Sequence, residues 1–349
     1  MSKKISINML SSADKIDGQG VGSAYLELLK LLHEDAADKF DIYINKGTKY
    51  DILHAHTVDL SFFFKMKLTK GKTVAYVHFL PTTLDGSIKL PKILFAIFKK
   101  YVIDFYKSAD KMVVVNPIFI KDMVAAGLDK DKIVYIPNFV SKEKFHKYDD
   151  KKTEQVRRKY GLKKGDFAVL GAGQVQTRKG VLDFIKTAKM LPDVQFIWAG
   201  GFSFGAITDG YEELKKIVKK PPKNVRFLGI VPREEMADLY NAVNCLFVPS
   251  YNELFPVTIL EAMSCDTPLL LRDLELYEDI LFKKYLKGGS VEEFAKQITL
   301  LKDDPKVYKT AVKNSVSTSK FYSKEHVLSM WEEFYTSLVN GEGEGKNAL

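Results

Sequence analysis

Short apolar strands alternate with amphipathic helices along almost the whole chain, and the alternation runs through two successive series. The first series opens with Ile5–Leu10 and closes with KIVYIPNFV, and the second opens with FAVLGAG at Phe167. Strands that alternate with helical segments are typical of βαβ units, whose strands form a parallel sheet. The sequence therefore predicts an α/β protein with two parallel-sheet domains. A length of 349 residues gives each domain enough chain to bury its own core.

A charged segment separates the two series. Residues 141–165 are rich in charge and poor in the residues that a core buries, so we place the domain junction there. A short helix is expected at Thr153–Tyr160, and residues 291–340 are expected to be helical throughout. The predicted parts are an N-terminal domain (1–150), a junction (151–164), a second domain (165–322) and a C-terminal helix with a frayed tail (323–349), which could cross back to the first domain.

The net charge of +9 is confined to the first half of the chain. Residues 1–160 contain 28 Lys and Arg against 19 Asp and Glu, whereas residues 161–349 contain 25 basic and 25 acidic residues. Residues 61–111 alone contain ten Lys and three Asp. Such a basic half attracts an anionic partner, which leaves nucleic acid, an acidic membrane and a phosphorylated substrate as candidates.

Cysteine content and hydropathy exclude several classes of protein. The two cysteines, Cys245 and Cys265, are too few for a disulfide scaffold or a four-cysteine zinc site, and they fit a reducing cytosol. The N-terminal sequence MSKKISINMLSS lacks the apolar run of a signal peptide. No stretch approaches the roughly 18 uncharged apolar residues that a membrane-spanning helix needs. We therefore expect a cytoplasmic protein that does not cross a bilayer.

Two glycine-rich turns follow predicted strands and precede predicted helices. Glycines let the backbone approach a ligand, and a helix N-terminus offers N–H groups to a phosphate. In the first turn, Gly18–Ser23, the spacing departs from G-x-G-x-x-G, so two interpretations stay open: the segment contacts a phosphate, or it is a tight strand-to-helix turn. In the second turn, Gly173 is followed by the cations Arg178 and Lys179, which suit a diphosphate. A solvated charge pair in a loop is the alternative, and the position at the carboxyl end of a strand favours the diphosphate.

Two glutamates eight residues apart mark the most informative stretch, PSYNELFPVTILEAMSCDTPLLL. Glu253 is expected just before a helix and Glu261 two turns inside it, with Pro256 at the helix start. The N–H groups of Val257 and Thr258 would then point toward a ligand. Carboxylates at these places can accept hydrogen bonds from sugar hydroxyls and from a ribose diol. A capped amphipathic helix with a surface glutamate is the alternative, but it does not explain a carboxylate inside the apolar run VTILEAM.

Three histidines, His54, His56 and His78, lie at the ends of predicted strands in the first domain. A neutral imidazole can donate a hydrogen bond to a developing charge. The HAH sequence has zinc-like spacing, yet the sequence offers neither further zinc ligands nor an oxygen cluster for Mg²⁺ or Mn²⁺. We therefore expect no metal. His78, in YVHFLP, is the best catalytic candidate, and a structural role is the alternative for all three.

A basic, aromatic helix is predicted after Pro91. Its apolar residues follow i, i+3, i+4 spacing and lysines flank them, as in helices that lie on an anionic membrane. A core helix with a solvated lysine face is the alternative, and the local charge favours the membrane. The residues expected to contact the membrane or an acceptor in it are Lys92, Phe95, Phe98, Lys99, Lys100 and Tyr101.

The stretch NELFPVTILEAMSCDTP resembles the E-x7-E signature of the retaining, nucleotide-sugar-dependent glycosyltransferases of family GT4. The segments GQGVG, VHFLP, IPNFV, FLGI and FVPS also follow the order found in that family. Within it, GAGQVQ, FIWAGGFSFG and YVHFLPTTLDGS are similar to the streptococcal and lactobacillal enzymes that add a second hexose to monoglucosyl-diacylglycerol. The resemblance implies the GT-B fold, in which two Rossmann-like domains face each other across a cleft.

The resemblance also implies roles for particular residues. Glu253 would contact the hydroxyls of the donor sugar, and Glu261 would hold the ribose. Lys179 would neutralise the diphosphate leaving group, and His78 would lie near the reacting carbon or the 6-hydroxyl of the sugar. The remaining donor-binding residues would be Gly20, Gly173, Arg178, Phe255, Pro256, Val257 and Thr258.

Two departures from the family pattern concern the donor site. The family usually has an arginine directly after the second-domain glycine, and this chain has Gln174 there, so that Arg178 is the available substitute. The family also has a G-x-P turn shortly after the second glutamate, and this chain reads Cys265-Asp266-Thr267-Pro268 there, with Asp266 in place of that glycine.

The implied activity is a retaining, metal-independent hexosyl transfer without a cofactor. The donor would be UDP-glucose or UDP-galactose and the acceptor monoglucosyl-diacylglycerol on the inner face of the membrane. The product would be an α-linked diglycosyl-diacylglycerol of the lipoteichoic acid anchor type. The alternative is a GT4 enzyme with a soluble or polyprenyl-linked glycan acceptor in cell-wall or capsule synthesis. The sequence has no RNP, KH or helix-turn-helix pattern, so nucleic acid is not an expected partner.

Overall fold

The computed structural model describes residues 3–12, 20–78, 80, 92–202, 205, 208–253 and 255–341. These residues form two compact units. The first unit contains the described residues up to Asn138 together with those from Lys324 onward, and the second runs from Phe139 to Ser323.

The first unit is built on a parallel sheet of six strands in the order β2-β1-β3-β4-β5-β6. Every paired strand runs parallel to its neighbour, and a helix lies between successive strands, as in βαβ units, except between β2 and β3, which pair with opposite edges of β1. Its elements are β1 (Ile5–Leu10), α1 (Gly20–Asp35), β2 (Phe40–Ile44), β3 (Ile52–Ala55), α2 (Leu60–Leu68), β4 (Lys72–Val77), α3 (Lys92–Lys107), β5 (Lys111–Val114), α4 (Ile118–Ala125), β6 (Ile133–Tyr135) and, from the end of the chain, α13 (Lys324–Asn340).

The second unit repeats this design with the strand order β12-β11-β10-β7-β8-β9, again all parallel. Its central strands β7 and β10 are buried along almost their whole length, because helices cover both faces of the sheet. Its elements are α5 (Asp150–Lys159), β7 (Phe167–Ala172), α6 (Val181–Met190), β8 (Val194–Ala199), α7 (Tyr211–Lys219), β9 (Val225–Phe227), α8 (Arg233–Ala242), β10 (Cys245–Val248), α9 (Val257–Ser264), β11 (Leu269–Arg272), α10 (Leu276–Ile280), β12 (Leu286–Gly288), α11 (Val291–Asp303) and α12 (Pro305–Ser319).

The segment that we expected to be a junction lies inside the second unit. Residues 151–164 include most of α5, which begins at Asp150 because the Asp149 side chain accepts a hydrogen bond from the Lys152 N–H at 2.7 Å. Arg157 then donates to the carbonyl oxygen of Ala242, the last residue of α8, at 2.7 Å. The charged residues of this segment therefore form the exposed face of a helix that packs on α8.

The expectation of unbroken helix over residues 291–340 is wrong. Asp304 leaves helical geometry, and its carboxylate caps α12 by accepting from the Lys306 N–H at 2.8 Å. Pro305 then occupies the first turn of α12, where its missing N–H costs nothing. A second break follows Ser319, so the region contains α11, α12 and α13.

The last of these helices, α13, belongs to the first unit. Its Tyr335 hydroxyl lies 2.8 Å from Nδ1 of His54 on β3. Lys324 pairs with Asp35 at 2.9 Å and Glu332 pairs with Lys39 at 2.7 Å. Helix α13 is therefore an integral part of the first unit.

None of the helices in the described ranges combines the length and the apolar character that a bilayer crossing requires.

Candidate active site

A tight crossing of backbones forms the base of the site in the second unit. Gly173, directly after β7, has φ +132°, a conformation that favours glycine. Its carbonyl oxygen accepts from the Trp198 indole N–H at 2.9 Å. A Cβ on Gly200 would lie 1.8 Å from that same oxygen. Two glycines therefore let the ends of β7 and β8 pass closer together than any other residues would.

Lys179 lies across this crossing. It ends a short 3-10 turn, Thr177–Lys179, and its Cε would be 3.5 Å from a Cβ at Gly173. The next residue, Gly180, has φ +71°, and a Cβ there would lie 2.2 Å from the Pro249 carbonyl oxygen. The 3-10 turn is thus pressed against the loop that follows β10.

That loop brings Glu253 to Lys179. The lysine Nζ lies 2.5 Å from Glu253 Oε1, although the two residues are far apart in sequence. Their side chains are only 16% and 7% exposed, so water screens this ion pair less than it would on an open surface. The site therefore has a cation and a carboxylate side by side at the carboxyl ends of β7 and β10.

Arg178, the other cation of the turn, is hydrogen-bonded to the same loop. Its Nη1 donates to the Asn252 carbonyl oxygen at 2.6 Å, and its own carbonyl oxygen accepts from the Tyr251 N–H at 2.9 Å. Gln174, where the family usually has arginine, accepts from the Gln176 side-chain amide at 3.1 Å. Arg178 thus fastens the loop that carries Glu253, and its contact with a donor stays a prediction.

Glu261 is buried on α9, with partners for both carboxylate oxygens. Oε1 accepts from Arg233 Nε at 3.1 Å, and Oε2 accepts from the Tyr240 hydroxyl at 2.8 Å. Burial and the neighbouring Glu261 charge raise the pKa of Tyr240 well above its usual value, so the hydroxyl remains a donor. The expected position two turns inside the helix is wrong, because α9 begins only at Val257 and Glu261 is its fifth residue.

The start of α9 contributes N–H groups to the same region. Pro256 precedes the helix with ψ 111°, which is extended rather than helical. The first N–H groups of a helix, here those of Val257 and Thr258, have no acceptor within it. Phe255 packs its ring 5.7 Å from that of Tyr322, which holds the chain entering the helix. These four residues are half-buried, so a ligand could reach them.

The histidines of the first unit form a buried cluster with aromatic rings. The ring centroids of His54 and His56 are 4.2 Å apart, and those of Tyr76 and His78 are 4.3 Å apart. Trp331 of α13 covers His54 at 5.5 Å. Burial lowers the pKa of His54 and of His78 to about 3. Burial is also the main cause that lowers the pKa of His56 well below its usual value, and the neighbouring His54 and His78 lower it further. All three imidazoles are therefore neutral at pH 7.

Within the described residues, these imidazoles have four ring nitrogens that find no hydrogen-bond partner: Nε2 of His54, both nitrogens of His56 and Nε2 of His78. The same part of the chain holds no group of three or more His, Cys, Asp or Glu side chains placed to bind a metal ion. Because successive side chains of an extended chain point to opposite faces, the HAH spacing places His54 and His56 on the same face where the chain leaves β3.

Some predicted residues fall wholly or partly outside the described residues. Gly20 is the first residue of α1, so the predicted turn at Gly18–Ser23 lies partly in this helix, and residues 13–19 are outside the described residues. Lys92 is the first residue of α3, and its side chain is outside the description.

The predicted membrane residues of α3 lie on different sides of the helix. Lys100 is exposed, whereas Phe95, Phe98 and Lys99 are half-buried, with Lys99 Nζ 4.8 Å from the Phe95 ring centroid. Tyr101 donates to the Val58 carbonyl oxygen at 2.6 Å and so faces the rest of the unit.

Exposed apolar residues instead cover parts of two neighbouring helices. Phe63 of α2 packs 6.0 Å from the rings of both Tyr101 and Phe105 of α3. On the outer side of this pair, Ile93 is 77% exposed and Leu68 is 74% exposed. We call this the α2–α3 surface; its exposed apolar residues are Leu60, Phe64, Leu68, Ile93, Leu94 and Ile97.

Sequence comparison assigns the chain to a family. The description "Glycosyl transferases group 1" matches residues 152–317, and "Glycosyltransferase Family 4" matches residues 21–144. The chain is 48% identical over 335 residues to an alpha-galactosylglucosyldiacylglycerol synthase of Streptococcus pneumoniae, which covers 95% of this chain and 90% of that protein. The chain is a family 4 glycosyltransferase. It is also 29% identical to a processive diacylglycerol alpha-glucosyltransferase of Acholeplasma laidlawii, over 80% of this chain and 82% of that one.

Solved structures confirm the fold of this glycosyltransferase. The Anabaena HepE protein, solved in complex with UDP and glucose, matches with a TM-score of 0.76 at 16% identity, covering 95% of this chain and all of that one. The chain has two parallel six-stranded sheets and shares the fold of such neighbours, so it has the GT-B fold, as the E-x7-E resemblance implied.

Sequence reasoning missed several residues that build the site. Arg233 and Tyr240, which hold Glu261, lie on α8 and carry no local motif. Asp183 and Arg272, which form a buried ion pair beneath the Glu253 loop, are also separated widely in sequence. A charged residue ending the apolar run PLLLR was the available signal for Arg272, since such a charge needs a buried partner.

Proposed function

We propose that this glycosyltransferase moves a hexose from a UDP-sugar to monoglucosyl-diacylglycerol, giving an α-linked diglycosyl-diacylglycerol. The observation that carries the proposal is the 48% identity, over nearly the full length of both chains, to an alpha-galactosylglucosyldiacylglycerol synthase. The name of that relative favours UDP-galactose over UDP-glucose as the donor. The product would be a membrane glycolipid of the kind that anchors lipoteichoic acid.

The second unit would bind the donor. Lys179, beside the glycine crossing at Gly173, would bind the diphosphate, and the N–H groups of Val257 and Thr258 would add donors from the helix start. Glu253 would accept hydrogen bonds from the sugar hydroxyls. Glu261, already held by an arginine and a tyrosine, would accept from the ribose diol.

Stabilisation of the charge that develops on the diphosphate would accelerate the reaction. The bond between the anomeric carbon and the diphosphate oxygen breaks through an oxocarbenium-like state, and negative charge develops on the leaving diphosphate. Lys179 and the N-terminus of α9 would stabilise that charge without a metal ion. The departing phosphate oxygen would take the proton of the acceptor hydroxyl. The acceptor oxygen would then bond to the anomeric carbon from the face that the phosphate leaves, so that the configuration is retained.

The first unit would serve the acceptor. His78 at the end of β4 is neutral, so it could donate a hydrogen bond to the sugar or steady the acceptor hydroxyl. Gly20 at the start of α1 would let the backbone approach the diphosphate. In the second unit, Arg178 would add a cation near the donor, beyond its contacts with the Glu253 loop.

The α2–α3 surface would hold the enzyme on the inner face of an anionic membrane. Its apolar side chains would enter the boundary between head groups and acyl chains. Lysines on the same helices, among them Lys65, Lys67 and Lys100, would meet the negative lipids. This attachment would present a glycolipid head group to the first unit.

A transfer assay with a panel of substrates tests this function. The purified protein is mixed with phosphatidylglycerol-containing vesicles and given UDP-galactose or UDP-glucose. The acceptors are monoglucosyl-diacylglycerol, diacylglycerol, a soluble glucoside and a polyprenyl-diphosphate-linked glycan. A diglycosyl lipid whose new linkage is α by proton NMR is the expected product. Transfer only to the soluble or polyprenyl acceptor would replace the proposal with the cell-wall alternative.

A further inference from the structure

We propose that Asp183, Arg272 and Tyr251 form a positioning network that fixes Glu253 against Lys179. The three side chains converge beneath the loop that follows β10, and none of them belongs to the E-x7-E signature. They are positioning residues, since they act on the reaction through the Glu253 loop.

Arg272 is the centre of the network. It ends β11, is buried, and donates from each of its three guanidinium nitrogens. Nε donates to the Pro249 carbonyl oxygen at 2.8 Å, Nη1 donates to the Gly289 carbonyl oxygen at 3.2 Å, and Nη2 forms an ion pair with Asp183. A buried guanidinium with all its nitrogens engaged can persist in the interior because these hydrogen bonds and the ion pair offset its desolvation cost. It joins the ends of β10, β11 and β12 to α6.

Tyr251 links this ion pair to the loop itself. Its hydroxyl donates to Asp183 Oδ2 at 2.6 Å, and its ring lies 3.9 Å from the guanidinium carbon of Arg272. The hydrogen bond to Asp183, with burial as the second cause, raises the pKa of Tyr251. Half of the Tyr251 surface is nevertheless exposed, so the contact is not a by-product of core packing.

The network acts on both members of the Lys179–Glu253 pair. Asp183 lies one turn beyond Lys179, in the first turn of α6, and Tyr251 lies two residues before Glu253. The Tyr251 N–H also donates to the Arg178 carbonyl oxygen. A bond between Asp183 and Tyr251 therefore fixes the distance between the segment that carries the cation and the segment that carries the carboxylate. A side chain displaced by 1 Å near a reacting centre costs about 100-fold in rate.

The inference rests on the proposed roles of Lys179 and Glu253, but it holds for any acceptor. Its test is the Tyr251→Phe variant, which removes one hydroxyl and keeps the ring over Arg272. We expect kcat to fall about tenfold, as for loss of a hydrogen bond to a charged group. The Kd for UDP and the KM for the donor should change by less than about twofold, because neither Tyr251 nor Asp183 would touch the nucleotide.

Arg272→Lys and Lys287→Met complete the set. Arg272→Lys keeps the positive charge but loses the planar guanidinium and its several hydrogen bonds, so it should lower kcat at least as much as Tyr251→Phe. Lys287 pairs with Asp273 on the exposed surface at 2.9 Å, and its loss should leave kcat unchanged. Combining Tyr251→Phe with Asp183→Asn should lower kcat by less than the product of the two single effects, since both substitutions affect the same hydrogen bond, that between Tyr251 and Asp183.

Two results would overturn the inference. One is an unchanged kcat in Tyr251→Phe with only a lower melting temperature, which a structural role would give. The other is an equal loss of UDP affinity and of kcat, which would make these residues part of the donor pocket. Glu253→Gln and Lys179→Met are measured in parallel, with donor hydrolysis as a readout free of the acceptor. Normal turnover in those two would refute the proposed site, whereas their failure beside a normal Tyr251→Phe would refute the network alone.

Discussion

Nζ of Lys179 lies 2.5 Å from Oε1 of Glu253 at the carboxyl ends of β7 and β10. In this arrangement, the lysine neutralises the glutamate. A bound diphosphate would compete for the same lysine, so that donor binding would release the Glu253 carboxylate to accept hydrogen bonds from the sugar. The pair would thus belong to a donor site in which the lysine holds the carboxylate in place before the donor binds.

Loss of either partner should have a different effect. Lys179→Met should weaken UDP binding about tenfold or more and also lower kcat, because the diphosphate loses its cation. Glu253→Gln should lower kcat by about 100-fold while UDP binds as tightly as in the parent or more tightly, since the competing carboxylate is gone. Isothermal titration with UDP and initial-rate kinetics measure both quantities.

A surface ion pair provides the control for these two variants. Lys302 and Asp193 are paired on the exposed surface of the second unit, so Asp193→Asn should leave both UDP affinity and kcat at the parent level. A Glu253→Gln variant that binds UDP tenfold more weakly than the parent would show that Glu253 does not compete for the lysine.

Removal of the Glu261 charge should act on nucleotide affinity. Glu261→Gln should raise the Kd for UDP about tenfold, because a neutral amide accepts fewer hydrogen bonds from a diol. Tyr240→Phe should raise it less, since Arg233 still holds the carboxylate. Glu213→Gln on the exposed face of α7 is the matched control. Unchanged UDP affinity in Glu261→Gln would mean that the ribose binds elsewhere.

The buried histidines predict how stability depends on pH. Burial lowers the pKa of His54 and of His78 from the usual 6.5 to about 3, so the unfolded chain binds more protons than the folded chain between those values. The free energy of unfolding should therefore be independent of these groups above about pH 6.5 and fall as the pH drops toward 3. The expected slope is about 1.4 kcal/mol per pH unit for each histidine.

Urea unfolding at several pH values, followed in the parent and in two variants, measures this slope. His78→Gln should reduce the slope between pH 6.5 and 4, because one proton fewer is taken up on unfolding. His146→Gln removes an exposed histidine of the second unit and should leave the slope unchanged. Equal slopes in the parent and His78→Gln would contradict a neutral, buried His78.

The α2–α3 surface should control membrane attachment. The Leu60→Ser, Leu68→Ser double variant should bind phosphatidylglycerol vesicles about tenfold more weakly or worse, because two exposed side chains no longer enter the bilayer. The Met190→Ser, Leu300→Ser variant removes two exposed apolar residues of the second unit and should bind as the parent does. Vesicle sedimentation at 0.05 M and 0.5 M NaCl should also show weaker binding at high salt. Equal binding by both variants would place the contact on another surface.

Local patterns predicted the architecture of this glycosyltransferase well. The alternation of strands and helices gave two parallel sheets, and the pattern around Glu253 and Glu261 placed a helix start between them, because both depend on neighbours within one or two turns. The Asp304–Pro305 pair shows a signal that was present and missed. Its N-cap and first-turn proline are the usual marks of a helix start, yet the expected helix ran through them.

Long-range pairing could not be read from the sequence. Asp183 meets Arg272 only because α6 begins and β11 ends at the same edge of one sheet, and Arg233 meets Glu261 only because α8 packs beside α9. Exposure was also hidden, since the spacing of Phe98 and Tyr101 in α3 gave no indication of which side the rest of the unit covers. The exposure of Ile93 and Ile97 becomes apparent only once α2 is seen to pack on the Tyr101 side of α3.

The most direct measurement is the initial rate of transfer from UDP-galactose to monoglucosyl-diacylglycerol in phosphatidylglycerol vesicles with EDTA present, for the parent and for Glu253→Gln. We expect a single α-linked diglycosyl lipid from the parent at the same rate with and without EDTA, and a rate about 100-fold lower from the variant. No diglycosyl lipid from the parent with either UDP-hexose, in a protein that binds UDP, would contradict the proposed acceptor. A variant as fast as the parent would contradict the site.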